Sequence, residues 1–173
     1  FHFGGAATIN AAGDITTDAG INIKTNNDIT FHPNQASGSD GLKITGDFDL
    51  VATTSNDTIT VTGDIIGVDS GTSNETVTIT AGAGSGTNGG TISVAGTIGS
   101  AGEVESVALT AATAINLGGN IDTKNVSNND VTITGPAILT ADVDINVTAN
   151  ATGTHEGDIT FTSTINDDGT GTT

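Results

Sequence analysis

The 173-residue sequence contains no cysteine, methionine, tryptophan or tyrosine. The absence of cysteine excludes disulfide bonds and any catalysis or metal binding that needs a thiolate. Phenylalanine, with five residues, is the only aromatic type. The core must therefore consist mostly of Ile, Val and Ala, with a few Leu and Phe. Such a composition fits a thin core between closely spaced sheets, because a wide core is usually filled by large aromatic side chains.

Positive charge is almost absent as well. There is no arginine, and the only lysines are Lys24, Lys43 and Lys124. Together with 20 acidic residues they give a net charge of −17. Nucleic acids and anionic membrane surfaces both require a basic surface for binding. No apolar run approaches the length that spans a bilayer. We therefore expect neither a nucleic-acid partner nor membrane insertion.

The chain starts at Phe1 without a methionine, and no basic or apolar leader segment follows. This start is typical of a mature or excised chain from which a signal peptide has been removed. At this length we expect one domain, residues 1–173.

Helical signals are scarce, whereas alternation of apolar and polar residues is common. Between Asp130 and Val147 two alternating runs of β-branched residues flank a break at Gly135-Pro136. Alternation with period two indicates strands that have one buried face. The same phrase, a β run followed by a small corner and a second β run, recurs at Ile44, Val61 and Val94. The sequence is therefore predicted to be all-β.

The repetition of this phrase predicts a β-solenoid. Successive phrases are spaced by roughly 14 to 23 residues, which gives about nine irregular coils and a rod on the order of 45 Å long. We expect a right-handed parallel β-helix, since parallel crossovers are almost always right-handed. A β-sandwich of antiparallel hairpins remains the alternative fold.

Three segments carry a resemblance to a known family. They read SVALTAATAINLGGNIDT from Ser106, VTITGPAILTADVDINV from Val131 and GDITFTSTIN from Gly157. They resemble the repeats of filamentous-haemagglutinin-like bacterial surface proteins, which are large secreted adhesins and exoproteins built from right-handed parallel β-helix. The resemblance implies an extracellular or cell-surface location and a structural or adhesive role. It implies no catalytic residues.

The leading functional hypothesis is a building block of a surface fibre, filament or large adhesin. The two ends of a solenoid expose strand edges that another chain can pair with, and such head-to-tail contacts propagate. We expect the apolar residues Phe1 and Phe3 to lie at this assembly junction. The expected partners are copies of this chain or neighbouring repeats of a longer chain, together with glycans or a host or cell surface.

Aspartates cluster at the predicted corners, for example at Asp57, Asp64 and Asp69. Calcium takes several oxygen ligands, which stacked corners could supply, and it is the one cofactor that the sequence suggests. Neither the glycine-rich calcium-binding nonapeptide nor an EF-hand loop is present, and aspartate is also an ordinary turn residue. If calcium binds, the predicted ligands are Asp142, Asp144, Asp167 and Asp168.

Pairs of threonines separated by one residue suggest an alternative function. On a flat face such pairs would form a regular hydroxyl array that binds carbohydrate, a host surface or ice. Threonine is also simply a favourable residue for exposed strands, so both interpretations stay open. The predicted array consists of Thr60, Thr62, Thr78, Thr80, Thr132, Thr134, Thr160 and Thr162.

Five Asn-x-Ser/Thr sequons are predicted glycosylation sites, although an Asn- and Thr-rich chain also produces sequons by chance. They begin at Asn56, Asn74, Asn125, Asn146 and Asn150.

Catalytic signals are weak. His2, His32 and His155 are scattered, and neither a metalloprotease motif nor a nucleophile-elbow motif is present. Carboxylate pairs such as Asp47 and Asp49 lack the aromatic sugar platform and basic residues of glycan-cleaving enzymes. We therefore expect a protein that is not an enzyme.

Overall fold

The computed structural model describes residues 1–17, 20–33, 40–68, 75–82, 89–124, 129–147 and 157–169. These residues form nineteen strands and no helix, and hence no helix that could cross a membrane. Every strand pair found among them is parallel. The prediction of an all-β parallel solenoid is therefore confirmed, and the antiparallel sandwich is wrong.

The strands lie on three sides of the solenoid, and each coil contributes to each long sheet in turn. The first sheet contains β1 (His2–Phe3), β4 (Ile21–Thr25), β7 (Phe48–Ala52), β10 (Thr76–Ala81), β12 (Ser106–Ala111), β15 (Val131–Thr134) and β18 (Ile159–Phe161). The second sheet contains β2 (Ala7–Ala11), β5 (Ile29–Pro33), β8 (Thr58–Val61), β11 (Thr91–Val94), β13 (Ala114–Leu117), β16 (Ala137–Leu139) and β19 (Ile165–Asp167). The third side contains β3 (Ile15–Thr16), β6 (Gly41–Ile44), β9 (Asp64–Gly67), β14 (Ile121–Thr123) and β17 (Ile145–Val147), with single bridges through Ile98 joining its two parts.

The predicted number of coils is wrong. In the part of the chain that the structure describes, each long sheet holds seven strands, one per coil, rather than about nine. The register offset between paired strands of neighbouring coils ranges from 22 residues, where Phe3 pairs with Thr25, to 33 residues, where Ile59 pairs with Ile92. At about 4.8 Å per coil the stack is roughly 30 Å high. Each coil turns at several corners, and all of these corners carry the same types of residue, glycine and aspartate. A coil count based on these residues in the sequence therefore counted single sides of a coil as whole coils. The right-handed winding stays a prediction.

Stacking in register places like residues over like residues. Strand β10 alternates between half-buried threonines and buried Val77, Ile79 and Ala81. Val77 pairs with Val107 and Ile79 pairs with Leu109 in the next coil. Each coil alone cannot bury these side chains, so continuous apolar columns form only when coils stack.

The predicted composition of the core is confirmed, since buried Ile, Val, Leu and Ala fill most of it. Phe31 and Phe48 are the only fully or nearly fully buried aromatics among the described residues, and their rings meet edge to face with centroids 5.5 Å apart. The interior of the described coils is thus a thin and mostly aliphatic layer.

The first sheet turns into the second sheet at corners that require small residues. Gly135 lies in such a corner between β15 and β16 and has a φ of 128°. A Cβ at this position would come within 1.7 Å of the Ala111 carbonyl oxygen in the preceding coil. Only glycine allows this close approach of two coils.

The two end coils are less buried than the interior coils, because each has a neighbour on one side only. Phe1 is 79% exposed and Phe3 is 42% exposed at the amino-terminal end. At the other end Ile159 is 44% exposed and Ile165 is 49% exposed. Both ends of the described stack therefore present apolar side chains to solvent.

We predict that Gly135→Ala lowers the free energy of unfolding by roughly 2 to 4 kcal/mol, through backbone strain and the clash with the Ala111 carbonyl. Urea denaturation followed by circular dichroism measures this loss. Gly13→Ala is the matched control, because a Cβ there meets nothing within 4 Å, and its effect is expected to stay within about 0.5 kcal/mol. Equal stability of the two variants would contradict the corner geometry.

Candidate functional site

Many corner aspartates hold neighbouring coils together. Their side-chain oxygens accept a hydrogen bond from a backbone N–H one coil further along the stack, and Asn120 does the same. These bonds satisfy N–H groups at corners where the strand ladder is interrupted. The pairs are Asp14 with Gly41 (3.0 Å), Asp28 with Thr58 (2.6 Å), Asp64 with Thr97 (2.7 Å), Asn120 with Asp144 (2.9 Å) and Asp130 with Asp158 (2.9 Å).

Asp14 shows how such a corner affects a carboxyl group. It accepts hydrogen bonds from the Lys43 ammonium at 2.5 Å and from the Gly41 N–H. Both bonds favour the ionised form, so the pKa of Asp14 lies below its ordinary value. Asp57 is buried and accepts the N–H of Thr54 at 2.9 Å within its own turn. These contacts support the interpretation of the corner aspartates as structural turn residues.

The predicted calcium ligands lie near the carboxy-terminal end and are all exposed. Asp142 and Asp144 lie in the corner between β16 and β17, and with Leu139 and Val143 they line an open depression of about 430 Å³. Asp167 ends β19, pairs in register with Leu139 and accepts the Gly169 N–H at 3.0 Å.

No group of three or more His, Asp or Glu side chains among the described residues is close enough to share a metal ion. Calcium binding by Asp142, Asp144, Asp167 and Asp168 therefore stays a prediction without a complete ligand set. Asp69 lies outside the described residues.

A buried acidic cluster lies at the corner that leads into the first sheet. Glu75 and Glu105 precede β10 and β12 in adjacent coils, and the Glu105 N–H donates to the Glu75 carbonyl at 2.8 Å. The Glu75 side chain is fully buried and forms an ion pair with Lys124, which reaches it from the next coil. Glu75 Oε1 accepts no hydrogen bond within the described part of the chain.

Within this cluster the pKa of Glu105 is raised above its ordinary value. Glu105 is only 8% exposed. Burial raises its pKa, the nearby carboxylate of Asp47 raises it further, Lys124 partly offsets this, and Glu75 adds a smaller increase. The Glu105 carboxyl group thus lies near two other carboxyl groups, those of Asp47 and Glu75, and near the Lys124 ammonium group.

Sequence reasoning missed this cluster, although a signal was present. Aspartate accounts for 16 of the 20 acidic residues, yet Glu75 and Glu105 each directly precede an alternating strand run. A longer side chain at that place can reach inward past the corner, which the short aspartate side chain does not do. The position that the two glutamates share, directly before a strand, is the sequence feature from which the cluster could have been predicted.

The structure divides the predicted threonine array between two faces. Thr60 belongs to β8 in the second sheet and Thr62 directly follows that strand, whereas the other six belong to β10, β15 and β18 in the first sheet or directly follow one of these strands. Strand β12 lies between β10 and β15 and adds Thr110. The two outward columns are Thr78, Ala108, Thr132 and Thr160, and Thr80, Thr110, Thr134 and Thr162.

This half of the first sheet presents a regular, uncharged surface, here called the threonine face. Its side chains repeat about every 4.8 Å across the strands and roughly 7 Å along them. No hydroxyl group of these seven threonines bonds to another described residue, so each is available to a ligand. A shallow groove of about 360 Å³ borders the face, lined by Thr110, Thr134, Thr162 and the small residues of the adjoining corners.

Two of the predicted glycosylation sites can be located. Asn56 is exposed in a turn with a φ of 71°, and Asn146 is exposed in β17. Asn74, Asn125 and Asn150 lie outside the described residues. Glycosylation stays a prediction.

The predicted junction residues Phe1 and Phe3 lie in the first coil. Phe3 pairs in register with Thr25, and the Phe1 carbonyl accepts the Lys24 N–H at 2.8 Å. Both side chains therefore occupy the terminal positions of inward columns, which explains an exposed apolar pair at this end.

The structure does not gather the histidines and carboxylates considered for catalysis. His32 Nδ1 lies 2.6 Å from the Thr62 hydroxyl, and His155 lies outside the described residues. Asp47 accepts from Thr76, and Asp49 accepts from Asn22, each across neighbouring coils. The expectation that the chain is not an enzyme stays a prediction.

Comparison of the chain with protein-family models, curated proteins and solved structures gives no match. The resemblance to filamentous-haemagglutinin-like repeats therefore rests on the sequence segments alone.

We predict that Glu105→Gln makes stability less dependent on pH. Because the pKa of Glu105 in the folded chain lies above its ordinary value of 4.5, its contribution to stability is complete below that value and is lost as the pH rises through the raised pKa. The variant, which has no charge to bury, should gain stability relative to the wild type between about pH 4.5 and 7. Urea denaturation over this pH range measures the difference.

Asp14→Asn is the control of opposite sign. The pKa of Asp14 is lowered from 3.8, so Asp14 contributes stability above that pH and loses it on acidification. The variant is expected to be no more stable than the wild type at neutral pH. If the stability–pH curves of the wild type and Glu105→Gln were parallel, this would contradict the raised pKa of Glu105.

Proposed function

We propose that this chain is a structural and adhesive extracellular protein, a β-solenoid building block of a surface fibre, filament or large adhesin that assembles end to end. The observation that carries this proposal is the pair of open ends. Strands β1 and β2 at one end, and β18 and β19 at the other, each pair with a neighbour on one side only among the described residues. Backbone groups on the outer edges of these strands are available to a further strand.

The apolar surface at the ends supports the same proposal. Phe1 and Phe3 at the amino-terminal end, and Ile159 and Ile165 at the carboxy-terminal end, are exposed, although the columns of Phe1, Ile159 and Ile165 are apolar elsewhere in the described coils. A further coil would bury these side chains and pair the open edges simultaneously.

The direction of the strands favours a filament over a closed dimer. Continuing a parallel sheet joins the carboxy-terminal coil of one copy to the amino-terminal coil of the next. Such a contact uses two different surfaces, and it propagates unless the rotation closes a ring.

The extracellular and adhesive part of the proposal draws on the sequence. The resemblance to secreted adhesin repeats, the absence of cysteine and the strongly acidic surface all fit a durable protein outside the cell. The corner aspartates that accept backbone N–H groups help to explain how the chain carries 20 acidic residues with only three lysines.

We predict that the double variant Phe1→Asp/Phe3→Asp loses end-to-end assembly, because it puts two charges at the terminal inward positions. Sedimentation velocity and negative-stain electron microscopy of the purified chain measure assembly. His2→Asp is the matched control, since His2 lies between the two phenylalanines and points outward. Filaments that persist in the double variant, or a wild type that remains monomeric at high concentration, would contradict the proposal.

A binding module is the second candidate, and the threonine face favours it. Seven threonines and one alanine form two columns without a charged residue, in a chain with a net charge of −17. Regular hydroxyl groups on a rigid sheet suit a repetitive uncharged ligand such as a neutral polysaccharide, a glycosylated host surface or ice.

We predict that Thr134→Tyr weakens such binding roughly tenfold or more, because a bulky ring interrupts the flat face at its centre. Binding to a panel of immobilised neutral polysaccharides and inhibition of ice recrystallisation are the measurements. Thr60→Tyr is the control on the second sheet and is expected to bind as the wild type does. Equal losses in both variants, or no binding by the wild type, would argue against this function.

A further inference from the structure

The ion pair between Lys124 and Glu75 is shielded from water, unlike the pair between Lys43 and Asp14. The Glu75 side chain is fully buried and the Lys124 side chain is 13% exposed. The corresponding exposures of Lys43 and Asp14 are 29% and 31%. Taking two charges out of water is costly, and their attraction offsets this cost only when hydrogen bonds also satisfy their remaining polar atoms.

Within the described part of the chain, the buried pair does not meet this condition. Lys124 Nζ donates a hydrogen bond to Glu75 Oε2, whereas Glu75 Oε1 is buried and accepts no hydrogen bond from a described residue. The same contact holds a primary amine beside a carboxyl carbon in a site that excludes most water. An amine and a carboxyl group held in this way can condense to an amide, because contact replaces a bimolecular encounter.

A third group, the carboxyl of Glu105, is available for the proton transfers that this condensation needs. The Glu105 N–H donates to the Glu75 carbonyl at 2.8 Å, so the two glutamates lie in adjacent coils at the same corner. Burial raises the pKa of Glu105, and the charges of Asp47, Lys124 and Glu75 act on it as well. A carboxyl group with a raised pKa retains a proton over a wider pH range and can therefore both donate and accept one.

We propose that Lys124 and Glu75 are joined by an intramolecular isopeptide bond, which the folded chain forms from its own side chains. The bond joins residues 49 positions apart and links the corner before β10 to the corner after β14. It gives a chain without cysteine a covalent connection between two coils. This inference goes beyond the proposed end-to-end assembly and does not depend on it.

The reaction needs no co-reactant. A proton passes from the Lys124 ammonium to the Glu75 carboxylate, which leaves a neutral amine and a carboxylic acid. The amine lone pair attacks the Glu75 carboxyl carbon, and the π electrons of the C=O bond move to its oxygen. Glu105 takes a proton from the nitrogen and delivers one to the hydroxyl group, the C–OH bond breaks, and water leaves. One ammonium and one carboxylate thereby become one neutral amide and one water molecule.

The product removes the unfavourable electrostatics of the buried pair. Two buried charges disappear, and one of the two Glu75 carboxylate oxygens leaves as water. Burial and Asp47 remain as causes of the raised pKa of Glu105. The gain in stability expected for Glu105→Gln therefore keeps its sign in the cross-linked chain.

Mass spectrometry of the intact, denatured chain tests the bond. The wild type is expected to weigh one water molecule less than its sequence. Lys124→Arg is the matched control, because arginine keeps the positive charge but its guanidinium stays protonated and does not attack a carboxyl group. It should have the full mass of its sequence, and so should Lys124→Gln/Glu75→Gln, which folds without a buried charge at this corner.

Proteolysis after denaturation locates the bond. Trypsin needs a free lysine side chain, so the wild type should be cut after Lys24 and Lys43 but not after Lys124, whereas Lys124→Arg should be cut at all three positions. A second protease that cuts after unmodified glutamate should then leave a branched peptide from the wild type, in which residues 44–103 are joined to residues 106–156.

The role of Glu105 is tested with Glu105→Gln, which retains both reacting groups. When the chain is made by cell-free translation and sampled over time, the form that lacks one water should appear roughly a hundredfold more slowly in this variant than in the wild type. Equal rates would exclude Glu105 as the proton carrier.

The remaining outcomes count against the bond. A wild type that keeps the full mass of its sequence, both when freshly purified and after long incubation in native buffer, would overturn the proposal. Loss of water that persists in Lys124→Arg would place the dehydration elsewhere, for example in a succinimide at Asp168-Gly169, and would also overturn it. Loss of ammonia instead of water would make a side-chain amide such as that of Asn129 the electrophile in place of Glu75.

Discussion

Parallel hydrogen bonding between consecutive coils, in register, is the interaction on which the rest of this structure depends. It places Val77 against Val107 and Ile79 against Leu109, and it repeats such pairings through the seven coils that the structure describes. Columns of similar side chains then fill a thin core that contains only two buried phenylalanines. The corner aspartates extend the same interaction, since they accept N–H groups where the strand ladder is interrupted.

This interaction also explains why the ends differ from the middle. Among the described residues, a strand of an interior coil has neighbours on both sides, whereas a strand of the first or last coil has a neighbour on one side only. The exposure of Phe1 and Ile165 is the direct result. The proposed end-to-end assembly would add another coil at these positions.

Much of the fold could be predicted from the sequence. The alternation in runs such as Val131–Thr134, the glycine at Gly135 and the scarcity of large aromatics were sufficient for a parallel solenoid with an aliphatic core. The number of coils was not predictable in this way, because the local turn signals at Asp28, Asp64 and Asp130 mark three different corners of a coil with the same residue type. Only the strand register distinguishes them.

The candidate sites were predicted less well, for the same physical reason. The Thr-x-Thr pattern identifies outward residues but does not say which sheet they belong to, so Thr60 and Thr62 were grouped with threonines of another face. Thr110 was missed because its partner in the strand is Ala108. The Glu75, Glu105 and Lys124 cluster joins residues up to 49 positions apart, and stacking alone brings them together.

The most direct test of the account is amide hydrogen exchange measured at increasing protein concentration. The account predicts that N–H groups of β10 and β12 are protected at every concentration, whereas those on the outer edges of β1, β2, β18 and β19 exchange rapidly in dilute protein and become protected as the concentration rises. Exchange at these end strands that does not change with concentration would contradict a solenoid that grows through its open ends.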